Sequence, residues 1–226
     1  ILLRGLTRET GHWGDFPAQL SLAFPDDTVV CLDLPGNGRY YRGHSPCNIN
    51  AMVDQARRRV AKLGIGEPVK VLALSLGGMV AVEWSRQFPD EFEALVLMNT
   101  SMRPFSTPWQ RLRPRNYPAL IGLIVTKDQR RREQTILHLT SHRYTARNAA
   151  DLVTQWTLLA EQHPVSRRNA LNQLIAAARY RAPTEAPAIP ILVLSGGSDQ
   201  LVNPSFSQAI ADVMGTRLRV NPDAGP

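Results

Sequence analysis

Short apolar runs alternate along this chain with longer stretches whose apolar residues recur every three or four positions, the pattern of strands alternating with helices. Ile1-Leu2-Leu3 reads as the end of a buried strand. Val29 to Leu32 is a β-branched apolar run ending in Asp33-Leu34-Pro35-Gly36-Asn37-Gly38, where proline and glycine force a turn. Asn48 is placed to cap a helix from Ile49 to Lys62, with Met52, Val53, Ala56 and Val60 on one face, and Gly64 and Gly66 stop it. Val69 to Leu74, broken only by Lys70, is too short for a helix and predicts a buried strand. Ser75-Leu76-Gly77-Gly78 and a second apolar helix through Trp84 follow it, and then a strand from Ala94 to Met98.

Strands apolar on both faces, separated by helices, call for a mostly parallel β-sheet flanked by helices, an α/β architecture whose topology the right-handed crossover rule restricts. From about Arg103 to Pro183 the strand pattern gives way to helix-like segments, Tyr144 to Gln162 and Arg168 to Tyr180 among them. Alternation resumes with Pro190 to Ser195, a helix from about Pro204 to Met214 capped by Asn203, and Leu218 to Val220. The expected organisation is a core of residues 1–102 and 184–226 with a helical cap inserted at 103–183. Since the chain opens inside a strand-like run and no helical pattern follows Val220, further N-terminal strands and a final helix are expected to lie outside it.

Composition narrows this only a little. With 226 residues, 43% of them hydrophobic, the chain is long enough to bury one large core. The net charge of +7 suits anionic partners in general, and charge alone does not choose among nucleic acid, membrane and acidic protein. Neither a run of about eighteen apolar residues nor a signal-like leader occurs, so a cytoplasmic location is expected. Cys31 and Cys47 form no CxxC pair and are expected as free thiols.

The candidate chemistry centres on Ala73-Leu74-Ser75-Leu76-Gly77, which sits between a buried strand and a helix. That context lets a serine occupy a sharp, strained turn and stand exposed above the sheet, provided that small residues two positions to either side allow the backbones to approach closely. Gly77 meets this requirement fully and Ala73 with one extra methyl; the competing reading is that Ser75 merely caps the following helix.

Several segments together resemble the α/β-hydrolase superfamily over nearly the whole chain. Leu3-Arg4-Gly5-Leu6 followed by Trp13 resembles the family's His-Gly-x oxyanion loop, Asp33 to Gly38 its D-x-P-G-x-G turn, Ser75 its nucleophile elbow, and Asp199 in Ser195-Gly196-Gly197-Ser198-Asp199 its late catalytic acid. The resemblance implies a serine esterase-like hydrolase in which Ser75 attacks an acyl carbonyl, backbone N–H groups of Leu6 and Leu76 hold the oxyanion, and Asp199 orients a histidine. Read without it, Asp199 is a solvated turn residue. Trp109 and Trp156 are expected to line the acyl pocket or to pack the cap.

Two positions depart from the family pattern. Arg4 stands where the loop usually carries a histidine, and Pro226 follows Pro222-Asp223-Ala224-Gly225 where the catalytic histidine is expected, so no histidine follows Asp199 in these residues. Without a base, serine is a weak nucleophile. None of His12, His44, His138, His142 and His163 fits the role better, and all are expected at the surface. His138 and His142 have the i, i+4 spacing of a metal half-site but lack a third ligand, so no metal is expected.

Gly36-Asn37-Gly38 lacks the third glycine of a dinucleotide fingerprint and no phosphate loop occurs, so no cofactor is expected. The insert carries Arg111, Arg113, Arg115, Arg130, Arg131 and Arg132, which suit either solvated helix faces or an acidic carrier protein; neither nucleic acid nor a membrane is expected as a partner. Beside ester hydrolysis of a small acyl substrate, two alternatives stand: an acyltransferase or thioesterase acting on carrier-bound acyl groups, and a non-catalytic binding protein on the same fold.

Overall fold

The computed structural model describes residues 1–105, 116, 118–119, 122–123, 126–140, 146–197 and 205–222. The strands are β1 (Leu2–Leu3), β2 (Cys31–Leu32), β3 (Val69–Leu74), β4 (Phe92–Met98), β5 (Ile191–Gly196) and β6 (Arg217–Asn221). They form one sheet in the order β2-β1-β3-β4-β5-β6, with every neighbouring pair parallel. The described helices are α1 (Phe16–Ala23), α2 (Ile49–Lys62), α3 (Leu76–Gln87), α4 (Gln129–Thr140), α5 (Ala146–Gln162), α6 (Arg167–Arg179) and α7 (Ser205–Val213).

The apolar runs bury where their pattern requires. Helix α2 begins at Asn48, whose side chain accepts from the Ala51 N–H at 2.8 Å, and buries Met52, Val53, Ala56 and Val60. Helix α3 is buried almost all round, from Leu76 to Ser85, because it lies between the sheet and α2. Trp84 is the largest side chain fully enclosed there. Its Nε1–H donates to Glu91 at 2.5 Å and its ring meets Phe92 edge-on at 5.3 Å, while Arg57 grips the same Glu91 carboxylate through two nitrogens. The polar edge of a buried indole is thereby satisfied.

Two helices escape the sequence reading. Helix α1 buries no residue, and α4 buries only Glu133 and Leu137, so neither carries an apolar stripe of the kind that marks a core-facing helix. Strand β2 covers only the second half of the expected 29–32 run, although the Val30 carbonyl still accepts from Leu2 N–H. Cys31 and Cys47 are free thiols.

Helices α4 to α6 lie between β4 and β5 in sequence, and the ends of this excursion meet: Arg103 bridges Arg181, and the Ala182 N–H donates to the Arg103 carbonyl at 2.6 Å. The charged contact between these helices and the core is made by the loop after β1. Arg8 donates to Glu133 of α4 at 2.5 Å, lies 4.5 Å over the Trp156 ring of α5, and donates to His12 Nε2 at 2.8 Å. Glu9 pairs with His163 at 2.7 Å. His12 is therefore not a surface residue as expected; it is 9% exposed, covered by Arg8 and by Trp156 at 5.6 Å.

Arginine can only donate, so His12 Nε2 accepts from Arg8, while Nδ1 lies between the Glu9 N–H at 3.2 Å and the Glu9 carbonyl at 3.3 Å. Burial, followed by the guanidinium groups of Arg8 and Arg4, pushes the His12 pKa down to about 2. Unfolded, the ring protonates near 6.5. The unfolded state thus binds the extra proton throughout the interval between these values, and stability falls as pH drops below about 6.5. In urea melts the wild type should lose about 1.4 kcal/mol more per pH unit than His12→Asn between pH 6 and 4; parallel pH dependences would disprove the buried neutral ring.

A second constraint is steric. A Cβ on Gly77 would lie 2.7 Å from the Arg4 carbonyl oxygen and 2.8 Å from that of Leu3, both backbone atoms that cannot swing aside. Gly77→Ala should lower stability by about 1–3 kcal/mol in a thermal melt, and an unchanged midpoint would mean that β1 and α3 are not held this close.

Candidate active site

Ser75 links the last residue of β3 to the first of α3 with φ 54° and ψ −115°, a conformation that non-glycine residues adopt only where the surroundings impose it. The surroundings are specific. Ser75 N–H donates to the Met98 carbonyl at the end of β4 at 3.1 Å, and the Ser75 carbonyl accepts from the N–H groups of Gly78 and Met79 and from the Thr100 hydroxyl at 2.8 Å. The Ser75 side chain makes no capping bond to α3, which removes the helix-cap alternative for its hydroxyl. The hydroxyl is left for other work at the C-terminal edge of a parallel sheet, where such folds bind ligands.

The loop after β1 reaches this serine. A Cβ on Gly5 would come within 3.0 Å of Ser75 Cβ, so the loop backbone passes directly against it and any side chain there would be tight. Leu6 follows in the chain and packs on the core. Leu76 opens α3, where the N–H groups of the first turn have no partner within the helix. Ser75, Leu6 and Leu76 are thus brought into one neighbourhood. Arg4, where the family pattern carries a histidine, lies 4.8 Å over the Trp13 ring, and Trp13 stacks on Phe16. A cation–π contact braces the loop at this position.

Asn99, Thr100 and Ser101 were missed by the sequence reading, although polar residues directly after a buried strand are a usable signal. All three are buried. Thr100 bonds Ser75 as described, and Asn99, at φ 42°, accepts the Gly196 N–H at 2.9 Å. That bond ties the end of β4 to the end of β5, from which the segment bearing Asp199 departs. Asp199, Trp109, Asp223, Pro226 and His142 lie outside the described residues, as do Arg111, Arg113 and Arg115.

Trp156 packs on Arg8 and His12 rather than on the cavity between insert and core. That cavity, about 160 Å³, is lined by Thr7, Arg8, His12, Arg132, Glu133 and His163 among others. Burial raises the Glu9 pKa, opposed by His163, and lowers that of Arg8, opposed by Glu133. Arg130 and Arg131 are exposed, as is His138. Among the described residues no three His, Cys, Asp or Glu side chains come together as a metal site would require, and no helix is long and apolar enough to cross a membrane.

A family model described as the alpha/beta hydrolase fold matches residues 1–225. The chain is similar to homoserine O-acetyltransferase of Haloferax prahovense, 29% identical over 107 residues, which is 40% of this chain and 26% of that protein. It is also similar to homoserine O-acetyltransferase of Citrifermentans bemidjiense, 37% identical over 71 residues, 31% of this chain and 19% of the relative. The match thus spans about a quarter or less of the curated relatives' length. Among solved structures, a hydrolase from Pseudomonas aeruginosa superposes with TM-score 0.77 at 21% identity, covering 99% of this chain and 81% of that one. A thermophilic esterase from Thermogutta terrifontis does so with TM-score 0.74 at 21% identity, covering 99% and 80%. At these identities the likeness to solved structures speaks for the fold, and the family match speaks for descent: the chain belongs to the alpha/beta hydrolase fold family.

Proposed function

We propose that this chain is a serine hydrolase that cleaves a carboxylic ester through an acyl-enzyme on Ser75. The observation that carries the reading is a serine at positive φ, without a capping role, pressed against Gly5 of the loop after β1. In this mechanism the Ser75 hydroxyl adds to the ester carbonyl as a histidine takes its proton. Leu6 and Leu76 N–H groups hold the oxygen that becomes negative, and collapse of the adduct expels the alcohol, protonated by the same imidazole. Water then repeats the sequence and releases the acid. Asp199 serves as the acid that keeps the imidazole in the working tautomer. No histidine follows Asp199 in the present residues.

The helices between β4 and β5 act as a cap over the acyl site in this reading, with Trp109 as a pocket wall; the place of Trp156 against Arg8 and His12 suits a packing role. A second reading, transfer of the acyl group to another hydroxyl instead of water, draws on the partial similarity to homoserine O-acetyltransferases. Both share the same acyl-enzyme.

Labelling with a fluorophosphonate tests the shared step. The product of the whole gene should label at Ser75, mapped by peptide mass, and Ser75→Ala should not. The 226-residue chain should label slower by about 10⁴-fold or more, since removing a triad base costs at least that much. A folded protein that labels in neither form would discard the enzyme and leave a ligand-binding module. Release of acid with water alone, against ester formation with an added hydroxyl acceptor, then separates hydrolase from transferase.

A further inference from the structure

The backbone after Gly5 turns sharply. Arg8 N–H donates to the Gly5 carbonyl at 3.2 Å, closing a four-residue turn whose central positions are Leu6 and Thr7. Thr7 has φ 55° there. Positive φ at the third position of such a turn is a place for glycine or asparagine; for a β-branched threonine it is strained. Such strain persists only where outside contacts over-determine it.

The outside contact comes from the insert. Thr7 N–H donates to Gln173 Oε1 of helix α6 at 2.8 Å, across a long separation in the sequence. Gln173 is completely buried. Its Nε2 donates to Asn37 Oδ1 at 2.7 Å, to Ser45 Oγ at 2.9 Å and, more weakly, to the Pro35 carbonyl at 3.3 Å. Asn37, also fully buried, donates from Nδ2 to the Arg8 carbonyl at 2.9 Å. The Thr7 and Arg8 backbone is therefore clamped on both sides by one amide relay anchored in the Asp33-to-Gly38 turn. Asn169, one turn earlier on α6, adds bonds to Ser45 N–H at 3.0 Å and to the Gly43 carbonyl at 2.9 Å.

We propose that Gln173 is a positioning residue for the oxyanion hole: by holding the strained Thr7 peptide it sets the direction of the Leu6 N–H, so the site is assembled only when α6 is seated on the core. The proposal rests on the reading of Ser75 as nucleophile and Leu6 as oxyanion donor. Gln173 touches neither substrate nor Ser75 in this role; it acts through the turn. Coupling of this kind makes the insert part of the catalytic geometry as well as a cover, since a small misplacement of an oxyanion donor weakens it in the transition state more than it weakens substrate binding.

The test uses the gene product and three variants: Gln173→Leu, Gln173→Leu with Thr7→Gly, and Gln173→Glu. Glycine adopts positive φ without strain, so it removes the need for the clamp. Expected for Gln173→Leu is a maximal fluorophosphonate labelling rate lower by about 10- to 100-fold, with the half-saturating probe concentration unchanged. Thr7→Gly in that background should restore most of the rate. A folded Gln173→Leu that labels at the wild-type rate overturns the proposal, and so does a loss that Thr7→Gly leaves untouched. Should the leucine variant not fold, Gln173→Glu decides. Its carboxyl accepts from the Thr7 N–H whether protonated or ionised, so a folded Gln173→Glu should keep the labelling rate within about 10-fold of wild type, and a larger loss overturns the proposal. Absence of labelling in the wild type is a different failure, for it removes the serine-hydrolase reading itself.

Discussion

The carbonyl oxygens of Leu3 and Arg4 occupy the space that a side chain on Gly77 would need, and the geometry at this edge of the sheet depends on that closeness. Because α3 comes so near to β1, the chain between β3 and α3 has no room for a relaxed connection, and Ser75 is driven to positive φ. The same approach brings Gly5 against Ser75. Ser75 and the loop after β1 are thus juxtaposed by backbone packing, with no side chain required to pull them together. The bond from the Ser75 N–H to the Met98 carbonyl and the one from the Thr100 hydroxyl to the Ser75 carbonyl then lock the turn from the β4 side.

Two polar seams of different character attach helices α4 to α6 to this framework. The seam through Gln173, Asn169, Asn37 and Ser45 is built from amides and a hydroxyl, so no pH near neutrality changes its bonding. The seam through Arg8, Glu133, His12, Glu9 and His163 is built from ionisable groups, buried apart from the partly exposed His163, where breaking one ion pair leaves its partner uncompensated. A neutral clamp sits next to the proposed oxyanion loop and a titratable one sits beyond it. The two meet at Arg8, whose carbonyl accepts from Asn37 and whose guanidinium pairs with Glu133.

The similarity to homoserine O-acetyltransferases extends over about a quarter or less of those proteins' length, and the likeness to an esterase is one of fold. What divides water from another hydroxyl in such a site is exclusion and placement of the second nucleophile, which falls to the residues above the serine. A cavity beside Thr7, Arg8 and Arg132 has a largely polar lining.

Much of the fold was legible in sequence because local rules and tertiary packing agree. Helix α2 runs from Ile49 to Lys62 behind its Asn48 cap, β3 runs from Val69 to Leu74, and the elbow falls at Ser75, each as the apolar spacing and the small residues predict. Helices α1 and α4 were illegible because they bury almost nothing, so their sequences carry no stripe. His12 was misplaced for a related reason: a lone histidine in a polar stretch reads as surface, and only the arrival of Trp156 and Arg8 from distant and local sequence buries it. The sequence by itself determined the alternation, the parallel sheet and the strained serine, since each is a matter of spacing between neighbours along the chain. Only the tertiary structure decided that Gln173 would reach Thr7 and that Thr100 would bond Ser75, because a single buried amide or hydroxyl has no periodicity, and its partner is set by which segments the sheet brings together.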